Sequence, residues 1–361
     1  MEKIKVLIID DSALVRKLLS EVLDGDPGIS VVGTAPDPII AIRKIRTLNP
    51  DVITLDIEMP RMDGLTFLEK LMKAHPMPVL MFSSLTRQGA DATMKALSLG
   101  AIDFIAKPRI RLTESMEDLR SEITLKVKAA ATAKLKKAVA PILEVPPRHD
   151  MDEVIRARKS SPDPDGDKVL VIGASTGGTV AIEQILSKLP ADAPPALVVQ
   201  HMPPVFTKSF AQRVNALSRI EVLEARDNDQ LRRGTALIAP GGQHMIVNKG
   251  LKGFYVRVKD GPPVNRHKPS VDVLFRSAAN TLGPNAVGII LTGMGDDGAR
   301  GLKEMRGSGA LTIAQDEESC VVFGMPKVAI DMGAVEKVLP LSAIARYIIA
   351  RMESEQGHTK E

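Results

Sequence analysis

Lys168-Val169-Leu170-Val171-Ile172-Gly173-Ala174-Ser175-Thr176-Gly177-Gly178 reads as an apolar strand feeding through a glycine-bounded serine into a helical pattern from about Val180. A strand running into a helix is the unit of a layered α/β fold. The G-x-S-x-G spacing at the junction has the form of a nucleophile elbow, a tight turn that projects a serine hydroxyl from the sheet edge. Its glycines let backbone and substrate approach where a Cβ would clash. Two other readings compete. A dinucleotide turn, G-x-G-x-x-G, needs glycine where Ser175 stands, and no lysine follows as in a P-loop. The bland alternative is a serine–threonine turn that only caps a helix.

The pattern continues on either side of this stretch. Strands are expected over 169–172, 196–200, 235–239, 287–291 and 311–314, and helices over 180–189, 207–217 and 273–282, with a further short segment at 303–307. Hairpin-like segments at 245–247 and 254–258 add an antiparallel insertion, and catalytic groups belong past the strand ends. A serine hydroxyl needs a positioned base at neutral pH, and three histidines are available. His201 directly follows the strand over 196–200 and is the favoured base. His244 closes the loop Pro240-Gly241-Gly242-Gln243-His244. His267, in Asn265-Arg266-His267-Lys268-Pro269, has the look of a surface binding loop. The base in turn needs a carboxylate. Thr292-Gly293-Met294-Gly295-Asp296-Asp297-Gly298 supplies two, and chain order does not choose between Asp296 and Asp297.

Residues 4–108 contain five β-α repeats, with strands over 4–9, 30–34, 52–55, 79–82 and 103–105, which predicts a second doubly wound parallel sheet. At its strand ends stand Asp10-Asp11, Asp56, Ser83 and Lys107-Pro108. Three converging carboxylates repel one another unless a hard divalent cation lies among them, and Mg²⁺ suits an open oxygen site with room for phosphate oxygens.

At 361 residues the chain exceeds the size at which one core keeps growing. The 44% hydrophobic and 25% charged residues are those of an ordinary globular protein. No apolar run is long enough to span a bilayer, the N-terminus lacks a signal-peptide pattern, and the single Cys320 excludes an intramolecular disulfide framework, so a cytoplasmic protein is expected. Cys320 itself reads as a small buried residue. The net charge of +4 is concentrated: residues 125–161 hold nine Lys/Arg against four acids, so the remainder carries −1. A basic stretch without aromatic residues, in a chain with 3% aromatics, offers no stacking platform for nucleic acid. A helical pattern from Glu114 with Leu119, Ile123, Val127, Ala131 and Leu135 on one face ends before Pro141. Pro146-Pro147 and the tract from Ser160 to Gly166 break regular structure. The expected division is therefore 1–125, a helical and flexible basic linker over 126–166, and 167–355.

On Asp10, Asp11, Asp56, Ser83 and Lys107, the first domain resembles response-regulator receivers, which are flavodoxin-like. The resemblance implies Asp56 as phospho-acceptor, with Mg²⁺ held by Asp10, Asp11, Asp56 and the backbone carbonyl of Glu58. Ser83 and Lys107 would contact the phosphoryl group, Phe104 would be the switch aromatic, and Pro108 would follow a cis bond. The second domain has Gly173-Ala174-Ser175-Thr176-Gly177-Gly178, Gln200-His201-Met202-Pro203-Pro204, Ala239-Pro240-Gly241-Gly242, the 292–298 turn and Phe323-Gly324-Met325-Pro326. With these motifs it resembles the chemotaxis protein-glutamate methylesterases, a Rossmann-like fold with a β-hairpin insertion. That likeness implies Ser175 as nucleophile, His201 as base, Asp297 as orienting acid and the Met294 N–H as an oxyanion donor, with no cofactor for ester hydrolysis. Asp296 departs from the family pattern, which has a polar residue there. The implied substrates are glutamate γ-methyl esters, and some glutamines, on chemoreceptors; the implied phosphodonor is a chemotaxis histidine kinase. The resting receiver is expected to restrict access to the hydrolase. The rival is a receiver with a binding or nucleotide-binding output, but the second domain lacks a helix-turn-helix pattern and a basic recognition face.

Overall fold

The computed structural model describes residues 2–59, 61–107, 116–133, 150–158 and 168–357. The chain divides into two compact units, residues 1–141 and 142–361.

The first unit is built from β1 (Ile4–Ile9), α1 (Ala13–Asp24), β2 (Ile29–Ala35), α2 (Pro38–Leu48), β3 (Val52–Asp56), α3 (Gly64–Ala74), β4 (Val79–Ser83), α4 (Arg87–Ser98), β5 (Asp103–Ala106) and α5 (Met116–Thr132). All pairings are parallel, in the order β2-β1-β3-β4-β5. β3 and β4 are buried along their whole length, as expected of a sheet covered on both faces. Ser12, Asp37, Asp63 and Thr86 cap the helices that leave the strand ends, each side chain accepting a backbone N–H of the first turn. Residues 126–132, expected in the linker, form the second half of α5. Val127 and Ala130 are fully buried in the same core as Val6, Ile8 and Leu80, so this domain extends beyond 125. Pro108 lies outside the described residues, as does the stretch 134–149.

The second unit starts before its first sheet strand. Residues 150–158 lie on this unit, beginning with a single 3-10 turn, Met151–Glu153, capped by Asp150. Met151 is buried against Ile246, Val264 and Val273. The Arg158 N–H donates to Asn280 Oδ1 (2.8 Å), and Asn280 Nδ2 donates to the Arg156 carbonyl (2.9 Å). Arg276 reaches both Asp152 and Glu304. This strap corrects the expectation that everything between 126 and 166 is tether.

Then follow β6 (Val169–Ala174), α6 (Gly178–Leu186), β7 (Ala196–Gln200), α7 (Phe206–Leu217), β8 (Glu221–Glu224), β9 (Thr235–Ile238), β10 (His244–Gly250), β11 (Gly253–Lys259), α8 (Val271–Thr281), β12 (Ala286–Ile290), α9 (Ala299–Gly307), β13 (Leu311–Gln315), α10 (Met325–Asp331), β14 (Lys337–Leu339) and α11 (Leu341–Gly357). Seven parallel strands form one sheet, β14-β13-β12-β6-β7-β9-β8, while β10 and β11 make a separate antiparallel hairpin. From β6 the chain winds outward through β7, then returns to the other side of β6 with β12. The switch point therefore lies between β6 and β12, where ligands of such sheets bind. Gly173, the fifth residue of β6, is required there. A Cβ on it would lie 2.1 Å from Val271 Cγ1, so only glycine lets the first turn of α8 seat against the strand. Among the described residues no helix is long and apolar enough to cross a membrane.

Candidate active site

Ser175 follows β6 and His201 follows β7. These strands are paired in parallel with Ala174 opposite Gln200, so the serine and the histidine occupy the next position on neighbouring strands. The His201 N–H donates to the Ala174 carbonyl (3.2 Å). Ser175 is pinned by its backbone: its N–H donates to the Thr292 carbonyl (3.0 Å), and its carbonyl accepts from Gly178 N–H (2.7 Å) and Gln200 Nε2 (3.0 Å).

Asp297 lies in the loop after β12, on the other side of β6. Its Oδ2 is 2.8 Å from His201 Nε2. The carboxylate is buried and takes four more hydrogen bonds, from Asn265 Nδ2 (2.9 Å), Ser270 Oγ (2.8 Å), Val271 N–H (2.7 Å) and Asp272 N–H (3.2 Å). Ser270 is the N-cap of α8, so the carboxylate sits on a helix N-terminus, where exposed N–H groups and the helix dipole favour an anion. Burial alone would raise the acid, but the His201 hydrogen bond and charge, the His267 charge and Asn265 together hold it well below the usual carboxylate range. Its neighbour Asp272 goes the other way. Burial and the Asp297 charge push it up to about 8, toward the protonated form. Because Asp297 stays ionised, His201 Nε2 carries the hydrogen in that contact. Nδ1, the other ring nitrogen, is buried and has no hydrogen-bond partner among the described residues.

Met294 lies in the turn between Gly293 and Gly295, with its backbone held from outside. The Gly293 N–H donates to Val322, and the Gly293 carbonyl accepts from Gly324 N–H (3.1 Å) and Met325 N–H (2.8 Å). Thr292 Oγ1 donates toward the carbonyls of Thr176 and Val322 and accepts the Val322 N–H (2.9 Å), tying this turn to the serine turn.

The other two histidines separate cleanly. His244 is fully buried with both nitrogens engaged, Nε2 with the Pro262 carbonyl and Nδ1 accepting from Ser270 N–H. Burial pushes it below its ordinary value, so it braces the α8 N-terminus as a neutral ring. His267, expected on a surface loop, instead stacks on His201 with ring centroids 3.6 Å apart and planes 11° from parallel. Asn265, Ser270 and Gln200 were also missed by sequence reasoning. A Ser-Val-Asp start to an apolar helix was the available signal for Ser270, whereas nothing local marks Asn265. Cys320 is buried, as expected.

In the first unit Asp10, Asp11 and Asp56 each bring a carboxylate oxygen within 4.8 Å of the others. Lys107 Nζ pairs with Asp56 (2.7 Å) and Asp10 (3.2 Å). Burial, reinforced by the Asp10 charge, outweighs the Lys107 bond and pushes Asp56 up to about 6. For Lys107, burial works downward, but the two carboxylates overcome it and raise the ammonium. One ammonium cannot neutralise three carboxylates, and Asp10 Oδ2 and Asp56 Oδ2 are buried with no other hydrogen bond among the described residues. That donor set fits a divalent cation. Glu58 places its N–H 3.4 Å from Asp56 Oδ1. Ser83 is buried, its hydroxyl turned to the Gly89 carbonyl (3.0 Å). Phe104 is buried too, with Lys126 Nζ 5.1 Å above its ring and donating to its carbonyl.

Comparison with known proteins adds to this geometry. Residues 170–348 match the CheB methylesterase family and residues 6–117 match the response regulator receiver domain. The chain is 52% identical over 358 residues to a protein-glutamate methylesterase/protein-glutamine glutaminase of Geobacter metallireducens, covering 98% of this chain and 97% of that one. A relative of the same description from Nitrosomonas europaea is 50% identical over 361 residues, with 98% and 97% covered. The crystal structure of the Thermotoga maritima CheB methylesterase catalytic domain superposes with a TM-score of 0.50 at 39% identity, spanning 51% of this chain and 98% of that one. Near-full-length identity at this level, with both domains matched in order, places the chain in the family of receiver-bearing CheB protein-glutamate methylesterases/protein-glutamine glutaminases.

Proposed function

We propose that this chain hydrolyses glutamate γ-methyl esters on chemoreceptors, releasing methanol, deamidates particular receptor glutamines at the same site, and is switched by phosphorylation at Asp56. The observation that carries the reading is the 2.8 Å contact between His201 Nε2 and an Asp297 held ionised by five donors, beside the strand that ends in Ser175. Ser175 Oγ attacks the ester carbonyl and its proton passes to His201 Nδ1. The negative charge on the carbonyl oxygen is met by backbone donors, the Met294 N–H among them. Collapse of the tetrahedral intermediate breaks the C–O bond, and the imidazolium returns its proton to methoxide, which leaves as methanol. Water then cleaves the acyl-enzyme by the same path. With a glutamine the leaving group is ammonia.

In the receiver, Asp10, Asp11, Asp56 and the Glu58 carbonyl would hold Mg²⁺, which would screen the carboxylates against the incoming phosphoryl oxygens. Asp56 takes the phosphoryl group from a chemotaxis histidine kinase. Lys107 and Ser83 bind its oxygens, and Phe104 reports the change. A cytoplasmic location belongs to the same reading, since both of these partners would be met there.

An active-serine organophosphorus probe tests the chemistry. It should label the full chain at Ser175 and leave Ser175→Ala unlabelled and without methanol release. Retained activity in that variant removes the assignment. A small phosphodonor with Mg²⁺ should label wild type and not Asp56→Asn.

A further inference from the structure

The segment that carries Asn265 and His267 is a two-residue turn closed by reciprocal backbone bonds, Val264 N–H to His267 carbonyl (3.1 Å) and His267 N–H to Val264 carbonyl (2.8 Å). Its central residues, Asn265 and Arg266, have φ of +50° and +69°. Two consecutive left-handed residues define the type I′ turn, in which asparagine is favoured first and glycine second. Arginine in the second place is unfavourable for a residue with a Cβ, so the surrounding contacts impose the conformation. Val264, where the turn begins, is fully buried against Met151, Ile246 and Val273.

From that base the turn touches both partners of the proton-transfer pair. Asn265 Nδ2 donates to Asp297 Oδ1 (2.9 Å) and to Asp272 Oδ2 (2.5 Å). The His267 ring lies flat on the His201 ring. A single hydrogen bond from Nε2 to Asp297 fixes one corner of the His201 ring but leaves it free to pivot about that contact. The pivot swings Nδ1, the nitrogen that must come within hydrogen-bond reach of Ser175 Oγ. A parallel ring in van der Waals contact blocks that swing.

We propose that the 264–267 turn is a positioning device for the acid–base pair. Asn265 orients the Asp297 carboxylate, and His267 holds the plane of His201 through its flat face rather than through its ring nitrogens. The inference rests on the reading of Ser175, His201 and Asp297 as the reacting groups.

The test uses the full chain and a peptide carrying a glutamate γ-methyl ester, with kcat and KM for methanol release measured separately. His267→Ala should lower kcat about 10- to 100-fold, the scale set by small misplacements of reacting groups, and leave KM within about twofold. His267→Phe, which restores a plane without a titratable nitrogen, should recover kcat to within about threefold of wild type. His267→Leu fills the space without a plane and should resemble His267→Ala; it carries the comparison if the alanine variant does not fold. Equal loss in the Phe and Leu variants would show that the imidazole nitrogens matter, and equal retention in both that no plane is needed. A rise in KM at constant kcat would make His267 a substrate contact. Each of these overturns the proposal. Failure of the triad reading is separable, because it appears as activity retained in Ser175→Ala whatever the His267 variants do.

Discussion

Asp297 accepts five hydrogen bonds, and only one of them comes from His201. The other four fix its position before any charge develops, and they explain why a single loop aspartate is ionised in a fully buried place. Asp297→Asn should therefore lower kcat about 10⁴-fold, as the comparable change does in serine proteases, since an amide cannot hold the same tautomer. The same change should also lower the Tm, because a carboxamide presents its own donors to buried N–H groups. Asp296→Asn should cost less than about tenfold; kinetics on the two variants decide the ranking. Asp56 shows the opposite electrostatics. Its folded value of about 6 exceeds the ordinary carboxylate value of 3.8, so the folded receiver binds the proton more tightly than the unfolded chain. The stability it contributes is present below about pH 4 and is lost as pH rises through 6. Asp56→Asn should accordingly raise the receiver's Tm at pH 7.5 and leave it nearly unchanged at pH 4, and Mg²⁺ should stabilise wild type at the higher pH far more than the lower, by thermal denaturation. Ser175, His201, Asp10 and Asp56 were legible in the sequence because strand ends in parallel sheets are readable. The choice between Asp296 and Asp297 was not, because it depends on which carboxylate meets the N-terminus of α8.

At the scale of elements, the fully buried strands carry a signal that the edge strands lack. β6, β7, β12 and β13 are buried throughout and mostly apolar, and their expected limits agree with the fold to within two residues. β8 and β14 are four and three residues long, at the two edges of the sheet, with exposed Glu221 and Lys337, and neither shows the apolar run that marks a strand. The stacking of His267 on His201 went unread for a similar reason. Its position follows from a turn with two positive φ values, and no periodicity announces one. Packing between elements also makes Gly324 a sharp probe of the oxyanion turn. A Cβ there would lie 2.6 Å from the Gly293 carbonyl and 3.1 Å from Met294 Cα, while its φ of −109° suits alanine. Relieving the clash shifts the backbone of 293–295 against that of Gly324, and Met294 lies at its centre. Gly324→Ala should then lower kcat about 10²-fold, the cost of one misplaced oxyanion donor, with little change in KM. An unchanged kcat would mean that Met294 does not donate.

For the whole molecule, the strap at 150–158 sets where the hydrolase begins. A fragment 150–361 keeps Met151 in its pocket and Asp152 on Arg276. A fragment 160–361 exposes Ile246, Val264 and Val273 and leaves Arg276, 7% exposed, with Glu304 alone. Burying a methionine is worth about 1.5–3 kcal/mol, so the shorter fragment should melt several degrees lower. The 150–361 fragment should also hydrolyse esters faster than the unphosphorylated full chain, and phosphorylation should raise the full-length rate. Equal rates for fragment and resting chain would replace restraint by the receiver with direct activation. The strap bears, finally, on how a protease would treat this protein. Arg156 and Arg158 are exposed at its C-terminal end, past the 3-10 turn. Trypsin acting there severs Met151 and Asp152, with everything N-terminal to them, from the body that the Met151 side chain still occupies, so the nick leaves a non-covalent complex of two large pieces that can dissociate on dilution. Digests of one preparation should then yield active material or progressively failing material according to how far the products are diluted.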